Sequence, residues 1–397
     1  MKKLVRLIVA GALGLPAAVV VGAGSTGMAA AAANKSPIVI GNVIPGASAP
    51  GLASGPTDIA VPKAWAAWTN SHGGINGHPV KIYQSQDNND PGRAQADIQT
   101  LVNQDHVIAL VGNDDTTVDG TYAGQLRQLG VPNIGGANFE TVWETNPDYF
   151  ATYATVSAKG YADVYVAHSI GAKSMAAAYC TEVPACLSDV QAQKQVAPKV
   201  RIKYTIGPSA PIQAPNYTAQ CVVLGGLHAG VLYFSAGPAG IEQMSSDCKQ
   251  QGLNQEWVLP NPLPTELTSP GLEKKAIGQD LQLPYFSDYH FAAYKPYVTA
   301  MDKYAPGLGL SQYPDAIRTW AALDVFKRAM LLEAGKPLTP GTVKKGLYAL
   351  KGFNDNGLLQ HLTYVPNKPT VVKCFVEWGI KNGKFTLPNG AKYICAP

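Results

Sequence analysis

The sequence lacks the motifs that mark the common classes of enzyme and metal site. It contains no His-Glu-x-x-His zinc motif, no Walker A phosphate loop and no Cys-x-x-Cys pair. Residues 46–50 fail the nucleophile-elbow pattern at its last position. Residues 87–90 are spaced as in a calcium loop, but Pro91 and Ile98 stand where that loop needs ligands. These absences favour a binding protein over an enzyme, and we expect neither a cofactor nor a metal.

The sequence also lacks a large net charge and a second long apolar run. It holds 31 Lys+Arg against 27 Asp+Glu. Subtracting Lys2, Lys3 and Arg6 of the amino-terminal segment leaves 28 against 27, so nothing suggests a nucleic-acid partner. No apolar segment after the first is long enough to span a membrane. With 397 residues, 46% of them hydrophobic, the chain can fill two cores.

The first 33 residues have the pattern of a secretory signal peptide. Three cationic residues precede an uncharged apolar run over residues 7–24, and the alanines at 29–33 offer small-residue cleavage sites. A membrane anchor is the alternative, but Pro16 and the many glycines and alanines weaken an anchoring helix. No cysteine lies near the cleavage site to carry a lipid. We therefore expect a mature protein that is free in the periplasm or secreted.

The six cysteines predict disulfide bonds. An even number of cysteines is typical of disulfide bonding in an exported chain. Pairing of neighbours along the chain joins Cys180 to Cys186, Cys221 to Cys248, and Cys374 to Cys395. Because six cysteines allow 15 arrangements, the sequence leaves the connectivity open.

One early stretch places a helix end, a strand and a helix start in immediate succession. A segment with apolar residues at helical spacing ends at Gly73 and Gly74, which can take the positive φ that terminates a helix. A short strand is predicted at residues 80–83. Asp90 and Pro91 then supply an N-cap side chain and a first-turn proline for the next helix.

The same alternation of strands and helices continues along most of the chain. Strands are predicted at residues 38–40, 107–111, 131–134, 175–179, 200–206, 231–234, 257–259, 278–283, 371–378 and 393–395. Helical periodicity between most of them predicts an α/β fold. In open α/β sheets, ligands bind at the carboxyl ends of the strands, so the loops there are the candidate site.

Several of these segments resemble a known family. Residues 73–77 (Gly-Gly-Ile-Asn-Gly) and 87–91 (Asp-Asn-Asn-Asp-Pro) resemble the amino lobe of the leucine/isoleucine/valine-type periplasmic binding proteins of ABC importers. Residues 38–41 and 109–112 stand where that family keeps its first and third strands, and residues 313–316 resemble the start of its long first-lobe helix. The resemblance implies a type I periplasmic-binding-protein fold, in which two Rossmann-like lobes are joined by a hinge.

The resemblance also implies how the chain divides. After the signal peptide at residues 1–33, the first lobe is expected to comprise residues 34–156 and 287–364. The second lobe is expected to comprise residues 157–286 and 365–397. The loops at the strand ends of the two lobes should then face each other across a ligand-binding cleft.

The candidate ligand-binding residues follow from this placement. Thr116 and Thr117 stand where the family places a hydroxyl against a ligand carboxylate. The full set is Ser48, Asp115, Thr116, Thr117, Ala137, Asn138, Phe139, Glu182, Ser235, Gly237, Asn261, Tyr285 and Tyr313. The chain departs from the family where Ala47 and Ser48 replace a common Thr-Gly, and where Asn138 and Phe139 replace a common Ala-Thr. The alternative for each position is an ordinary turn residue.

The chemistry of these loops predicts an amphipathic solute. The family supplies a second-lobe Glu for the ammonium of an amino acid, and this chain has no carboxylate at the corresponding position, near Asn261. Asp114, Asp115 and Glu182 are possible replacements, because a buried ammonium needs an acceptor. The aromatic side chains of Phe139, Tyr285, Phe286 and Tyr313 suit an apolar or aromatic portion. We therefore expect an amino acid or an aromatic acid rather than a sugar.

The sequence thus predicts an extracytoplasmic solute-binding protein. It is expected to be a monomer that takes a small-molecule ligand to an ABC permease and ATPase complex. An exported ligand sensor of the same fold, signalling to a membrane partner, is the alternative, and an enzyme on this fold comes third.

Overall fold

The structure, a computed structural model, describes residues 35–46, 55–114, 118–136 and 140–397. The expected signal peptide lies outside this part of the chain. Within the described ranges, no helix is both long and apolar enough to cross a membrane. Their strands form two main sheets, mostly parallel and covered by helices, so the predicted α/β fold class is confirmed.

Strands and helices alternate along most of the chain. The strands are β1 (Ile38–Ile44), β2 (Val80–Gln86), β3 (Leu110–Asn113), β4 (Asn133–Gly136), β5 (Tyr149–Phe150), β6 (Ser174–Cys180), β7 (Lys203–Ala210), β8 (Val231–Ser235), β9 (Glu256–Leu259), β10 (Lys275–Asp280), β11 (Lys351–Phe353), β12 (Leu362–Thr363), β13 (Cys374–Lys381), β14 (Phe385–Thr386) and β15 (Tyr393–Cys395). The helices are α1 (Pro56–Ser71), α2 (Pro91–Asn103), α3 (Ala123–Leu129), α4 (Val142–Thr145), α5 (Val156–Ser169), α6 (Pro184–Val196), α7 (Thr218–Gly226), α8 (Pro238–Gln250), α9 (Lys295–Tyr304), α10 (Ile317–Leu332) and α11 (Pro340–Ala349). A short 3₁₀ turn, Pro314–Ala316, precedes α10.

The first sheet has five parallel strands in the order β2-β1-β3-β4-β5. Helix α1 packs against α9 and α10, while α2 packs against α3. Trp65 of α1 and Trp320 of α10 are fully buried in this core. Burying such large apolar side chains is a major favourable contribution to folding. We call this sheet and its helices lobe 1.

The second sheet has the order β7-β6-β8-β9-β10-β13-β14, and β15 also pairs with β13. Strands β6 to β10 are parallel, and β13 runs antiparallel to β10. Helix α5 packs against α6, and α7 packs against α8. We call this sheet and its helices lobe 2.

The local signals that predict the first helices have the expected geometry. Gly73 and Gly74 have φ values of 90° and 70°, and α1 ends at Ser71 just before them. The side chain of Asp90 accepts a hydrogen bond of 2.8 Å from the backbone N–H of Arg93, which caps α2. These contacts satisfy helix-terminal backbone groups that have no partner within the helix.

Three segments connect the two lobes and lie side by side. In the first, the backbone N–H groups of Ala154 and Thr155 donate to the carbonyls of Leu281 and Val372, at 3.2 and 3.0 Å. Those two acceptors belong to the second and third connecting segments. Adjacent connecting segments of this kind form a hinge, since a few backbone angles can absorb a rotation of one lobe against the other.

Several predicted strand bounds are wrong, and two of them have a clear physical reason. Residues 278–283 were expected to form one strand, but β10 ends at Asp280, and Leu281 and Leu283 belong to a connecting segment. Both leucines are buried. A connecting segment that is buried between the lobes therefore has apolar residues in its sequence, as a buried strand does. Strand β7 begins at Lys203 instead of residue 200, because a 3₁₀ turn ends just before it with Arg201 at φ 61°.

The structure contains three disulfides, between Cys180 and Cys186, Cys221 and Cys248, and Cys374 and Cys395. They are the three pairs expected from neighbouring positions in the sequence. The second bond joins α7 to α8 on either side of β8 in the chain, and the third joins β13 to β15. All three bonds lie in lobe 2, where they cross-link elements that are close together in the sequence.

Candidate functional site

The carboxyl ends of the parallel strands in the two lobes form the candidate site. Asp114 follows β3 in lobe 1, and Asp280 ends β10 in lobe 2. Both carboxyl groups lie beside the guanidinium of Arg318 on α10, so the two sheet edges approach each other there. We call the space between these two edges the cleft.

Seven of the predicted ligand-binding residues lie outside the described residues. They are Ser48, Asp115, Thr116, Thr117, Ala137, Asn138 and Phe139. The structure does describe the strands that carry two of their loops. Gly136 at the end of β4 has a φ of 134°, and a Cβ there would lie 2.4 Å from the carbonyl oxygen of Asn113. Only glycine permits this approach, which brings the ends of β3 and β4 together.

A buried network in lobe 1 centres on Asp119. The hydroxyl of Tyr122 and the indole N–H of Trp143 donate to its carboxylate, the latter at 2.8 Å, and the Tyr149 hydroxyl donates to its backbone carbonyl at 2.7 Å. Burial raises the pKa of Asp119 to about 8, although the hydrogen bonds from Tyr122 and Trp143 act in the opposite direction. The network joins the segments that follow residues 115–117 and 137–139 in the chain.

In lobe 2, the predicted site residue Ser235 belongs to a second buried network. Its hydroxyl donates to Asp189 at 2.8 Å, and the Tyr233 hydroxyl donates to the same carboxylate at 2.7 Å. The ammonium of Lys159 lies 2.9 Å from Asp189 and 2.7 Å from Asp163. Burial raises the pKa of Asp163 to about 6 against the attraction of Lys159. The Ser235 hydroxyl is thus hydrogen-bonded to a residue of its own lobe.

Three other predicted residues of lobe 2 lie on loops at the strand ends. Glu182 is exposed, and its carboxylate accepts hydrogen bonds from the backbone N–H of Ile212 at 3.0 Å and from the Thr181 hydroxyl at 3.1 Å. Gly237 occupies the position just before α8, and Asn261 follows β9 with a half-buried side chain. Glu182 therefore holds its own loop in place, while Asn261 stands at the edge of the cleft.

The two predicted aromatic residues lie where the lobes adjoin. The Tyr285 backbone N–H donates to the Pro314 carbonyl at 3.0 Å, and its ring packs edge-on against Tyr294 and Tyr297. Tyr313 packs against Gly55 at the start of α1, where a Cβ would lie 2.2 Å from the tyrosine ring. A cavity of about 130 Å³ lies beside Tyr285. The residues that line it include Pro264, Leu267, Phe286, Ser311 and Phe385.

Sequence reasoning named Asp114 but missed the charged residues beside it, Arg318, Asp280 and Asp315. One guanidinium nitrogen, Nη2, donates to Asp114 at 3.2 Å, and Nη1 lies 3.8 Å from Asp315. Burial raises the pKa of Asp114, while Arg318 lowers it. The pKa of Asp280 is raised well above its usual range by burial and by the neighbouring Asp315 carboxyl. This cluster lies where the two sheet edges meet.

A larger cavity lies elsewhere in lobe 1, away from the strand ends. It has a volume of about 490 Å³ and adjoins the carboxyl ends of α10 and α11. Arg328, Lys351 and Asp355 are among the residues that line it. Across the described parts of the chain, no group of three or more His, Cys, Asp or Glu side chains is arranged to hold a metal ion.

Comparison with known proteins shows a family match over most of the chain. The family model described as periplasmic binding protein matches residues 37–383. No curated protein matches the chain significantly.

Solved structures with the same fold cover nearly the whole chain at low sequence identity. An extracellular ligand-binding receptor from Verminephrobacter eiseniae is 15% identical, with a TM-score of 0.74, and the match covers 88% of this chain and 99% of the receptor. A solute-binding protein of an ABC transporter from R. palustris, in complex with benzoate, is 15% identical, with a TM-score of 0.71 and coverage of 91% and 98%. A branched-chain amino acid ABC transporter protein from Thermus thermophilus, with bound valine, is 13% identical, with a TM-score of 0.74 and coverage of 91% and 97%.

Proposed function

The chain belongs to the periplasmic binding protein family, and we propose that it captures a small amphipathic organic solute in the cleft and delivers it to an ABC importer. The observation that carries this proposal is the meeting of the two sheet edges at Arg318. Ligands of open α/β sheets bind at such edges. A solute that contacts both lobes stabilises the closed arrangement, because only contacts that differ between the open and closed states shift their populations.

The hinge supplies the motion that this function needs. The three connecting segments are joined by backbone hydrogen bonds such as those from Ala154 and Thr155. We propose that residues 34–156 and 287–364 move as one lobe, and residues 157–286 and 365–397 as the other. We also propose that residues 1–33 are removed on export and that the protein acts as a free monomer outside the cytoplasm.

Two kinds of observation support an amino acid or aromatic acid as the solute. Tyr285 and Tyr313 present half-buried aromatic side chains near the junction of the lobes. Relatives of the same fold hold benzoate in one case and valine in another. We propose that the loops with Thr116, Thr117, Asn138 and Phe139 contact the solute from lobe 1. No catalytic role is proposed for any residue.

A thermal-shift panel tests the solute class. Ligands that bind only the folded protein raise its melting temperature, and the stabilisation grows with the logarithm of the ligand concentration above Kd. We expect concentration-dependent shifts from one or more amino acids or aromatic acids, and none from neutral sugars. Shifts from sugars alone would contradict the proposed solute class.

A further inference from the structure

Helix α6 has little apolar surface to hold it on the sheet of lobe 2. Two of its 13 residues, Val190 and Gln193, are buried, whereas eight of the 14 residues of α5 are buried. Val183, which precedes α6, makes no capping hydrogen bond through its side chain. A helix with few buried apolar contacts and no side-chain cap opens locally at a low free energy. Contacts other than apolar packing must therefore fix the start of α6.

The disulfide between Cys180 and Cys186 supplies such a contact. Cys180 is the last residue of β6, and Cys186 lies in the first turn of α6. The residues around the bond are mostly exposed, namely Thr181, Glu182, Pro184, Ala185 and Leu187. The bond therefore joins the start of α6 to the carboxyl end of a strand at the edge of the cleft.

Helix α6 in turn carries two polar side chains into the buried network of lobe 2. Asp189, three residues after the second cysteine, accepts a hydrogen bond from the Ser235 hydroxyl at 2.8 Å. The side-chain amide of Gln193 donates to Asp163 at 2.9 Å. Ser235 is the last residue of β8, the strand next to β6 in the sheet. A shift of α6 would therefore move the hydrogen-bond partner of a side chain at the end of β8.

The other two disulfides join elements that have further anchors. Cys221 and Cys248 are fully buried where α7 packs against α8, and six residues of α8 are buried. Cys374 and Cys395 lie opposite each other on the paired strands β13 and β15. The Cys180–Cys186 bond is thus the disulfide that holds a helix with little packing of its own, and it lies at the edge of the cleft.

From these contacts, and resting on the proposed function, we propose that the Cys180–Cys186 disulfide positions the lobe 2 side of the cleft for solute binding. It acts through α6, whose Asp189 orients the Ser235 side chain at the end of β8. The folding of lobe 2 as a whole does not depend on this bond. Its loss should loosen α6 and weaken solute binding while the rest of the lobe stays folded.

Hydrogen exchange measured by mass spectrometry tests the positioning role without any solute. In the double variant Cys180→Ala and Cys186→Ala, the backbone amides of residues 185–190 should exchange about tenfold or more faster than in the wild type, because the closed loop no longer restrains local opening. Exchange in β9 and β10 should stay unchanged.

Calorimetric titration tests the effect on binding. L-leucine, L-phenylalanine and benzoate are the probes, and the one that binds the wild type most tightly is then titrated into the variant. We expect its affinity to fall about fivefold or more, the effect of losing one ordinary hydrogen bond.

The double variant Cys221→Ala and Cys248→Ala is the matched control. It removes a disulfide with a sequence separation of 27 instead of 6, so it should lower the free energy of unfolding more than the first variant does. Exchange at residues 185–190 and the affinity for the probe should nevertheless stay as in the wild type. If both disulfides only stabilised the fold, the control would lose at least as much affinity as the first variant.

Unchanged exchange at residues 185–190, or an unchanged affinity for a probe that binds the wild type, would overturn the inference and leave the proposed function standing. Unfolding of the whole of lobe 2 in the first variant would also overturn it, because the bond would then serve the fold. If none of the three probes binds the wild type, the proposed solute class is wrong, and the exchange result alone decides the inference.

Discussion

The carboxyl groups of Asp280 and Asp315 are neighbours across the boundary between the two lobes. Asp280 ends β10 of lobe 2 and is 4% exposed, while Asp315 lies in the 3₁₀ turn ahead of α10 in lobe 1. Burial and the neighbouring Asp315 carboxyl raise the pKa of Asp280 well above its usual range. The raised pKa favours the neutral form of Asp280 at this boundary, so the arrangement of the lobes is linked to the protonation of this buried acid.

Substitution of Asp280 tests this contact. Asparagine is neutral, as the raised pKa of Asp280 favours, and it keeps an acceptor for the backbone N–H of Gln282, which now lies 3.3 Å from the carboxyl group. We expect Asp280→Asn to be about as stable as the wild type at neutral pH, and Asp280→Ala to lose about 1–3 kcal/mol, the usual cost of an unsatisfied buried group. Denaturant unfolding measures both values. Equal stability of the two variants would contradict the account.

Asp119 predicts a dependence of stability on pH. Because its pKa is raised to about 8 in the folded state, the folded protein keeps a proton that the unfolded chain loses near pH 4. This contribution to stability is fully present below pH 4 and is lost as pH rises toward about 8. Asp119→Asn should make the unfolding free energy fall less over that range. An unchanged slope between pH 4 and 8 would show that Asp119 is ionised in the folded protein.

The sequence predicts the elements of this fold better than it predicts the contacts at its site. The cap at Asp90 and the helix end at Gly73 depend on residues close together in the chain, so their chemistry is visible in the sequence. Arg318 contacts Asp114 across 204 positions, and that contact depends on how α10 packs against β3. Asp119 follows a polar loop, and only the folded structure shows its burial. Residues of this kind carry no local pattern that separates them from ordinary turn or surface residues.

The disulfide between Cys221 and Cys248 should contribute more to stability than the one between Cys180 and Cys186. Their sequence separations are 27 and 6. In the chain-entropy model, the longer loop gives a stabilisation of about 3–4 kcal/mol, about 1 kcal/mol more than the shorter one. Paired Cys→Ala variants of each bond, unfolded in denaturant, measure the difference. Mapping of unreduced peptides checks the pairs first, and free thiols at 221 and 248 would contradict the assignment.

Lys159 should be essential to the core of lobe 2. Lys159→Met leaves Asp163 and Asp189 without their buried cation, and breaking such a pair costs about 3–5 kcal/mol. Lys275→Met is the matched control, since Lys275 pairs with Glu256 at 2.6 Å but is 68% exposed. Its effect should stay within about 1 kcal/mol. Similar losses in the two variants would contradict the role assigned to Lys159.

The loop at residues 115–117 should contribute to binding and not to folding. If the hydroxyls of Thr116 and Thr117 donate to a solute carboxylate, the double change Thr116→Val and Thr117→Val weakens binding by about 1–3 kcal/mol. The melting temperature without solute should barely change. Calorimetry measures the affinity, and an unchanged value would move the solute contact to another loop.

Mass spectrometry of compounds released from gently unfolded protein tests the central claim most directly. The account predicts one small organic compound with an amine or an aromatic group, recovered at close to one molecule per chain. Added back to the emptied protein, the same compound should bind unchanged and raise the melting temperature. Release of a sugar, or conversion of the compound by the protein into a different product, would contradict the account of a binding protein for amphipathic solutes.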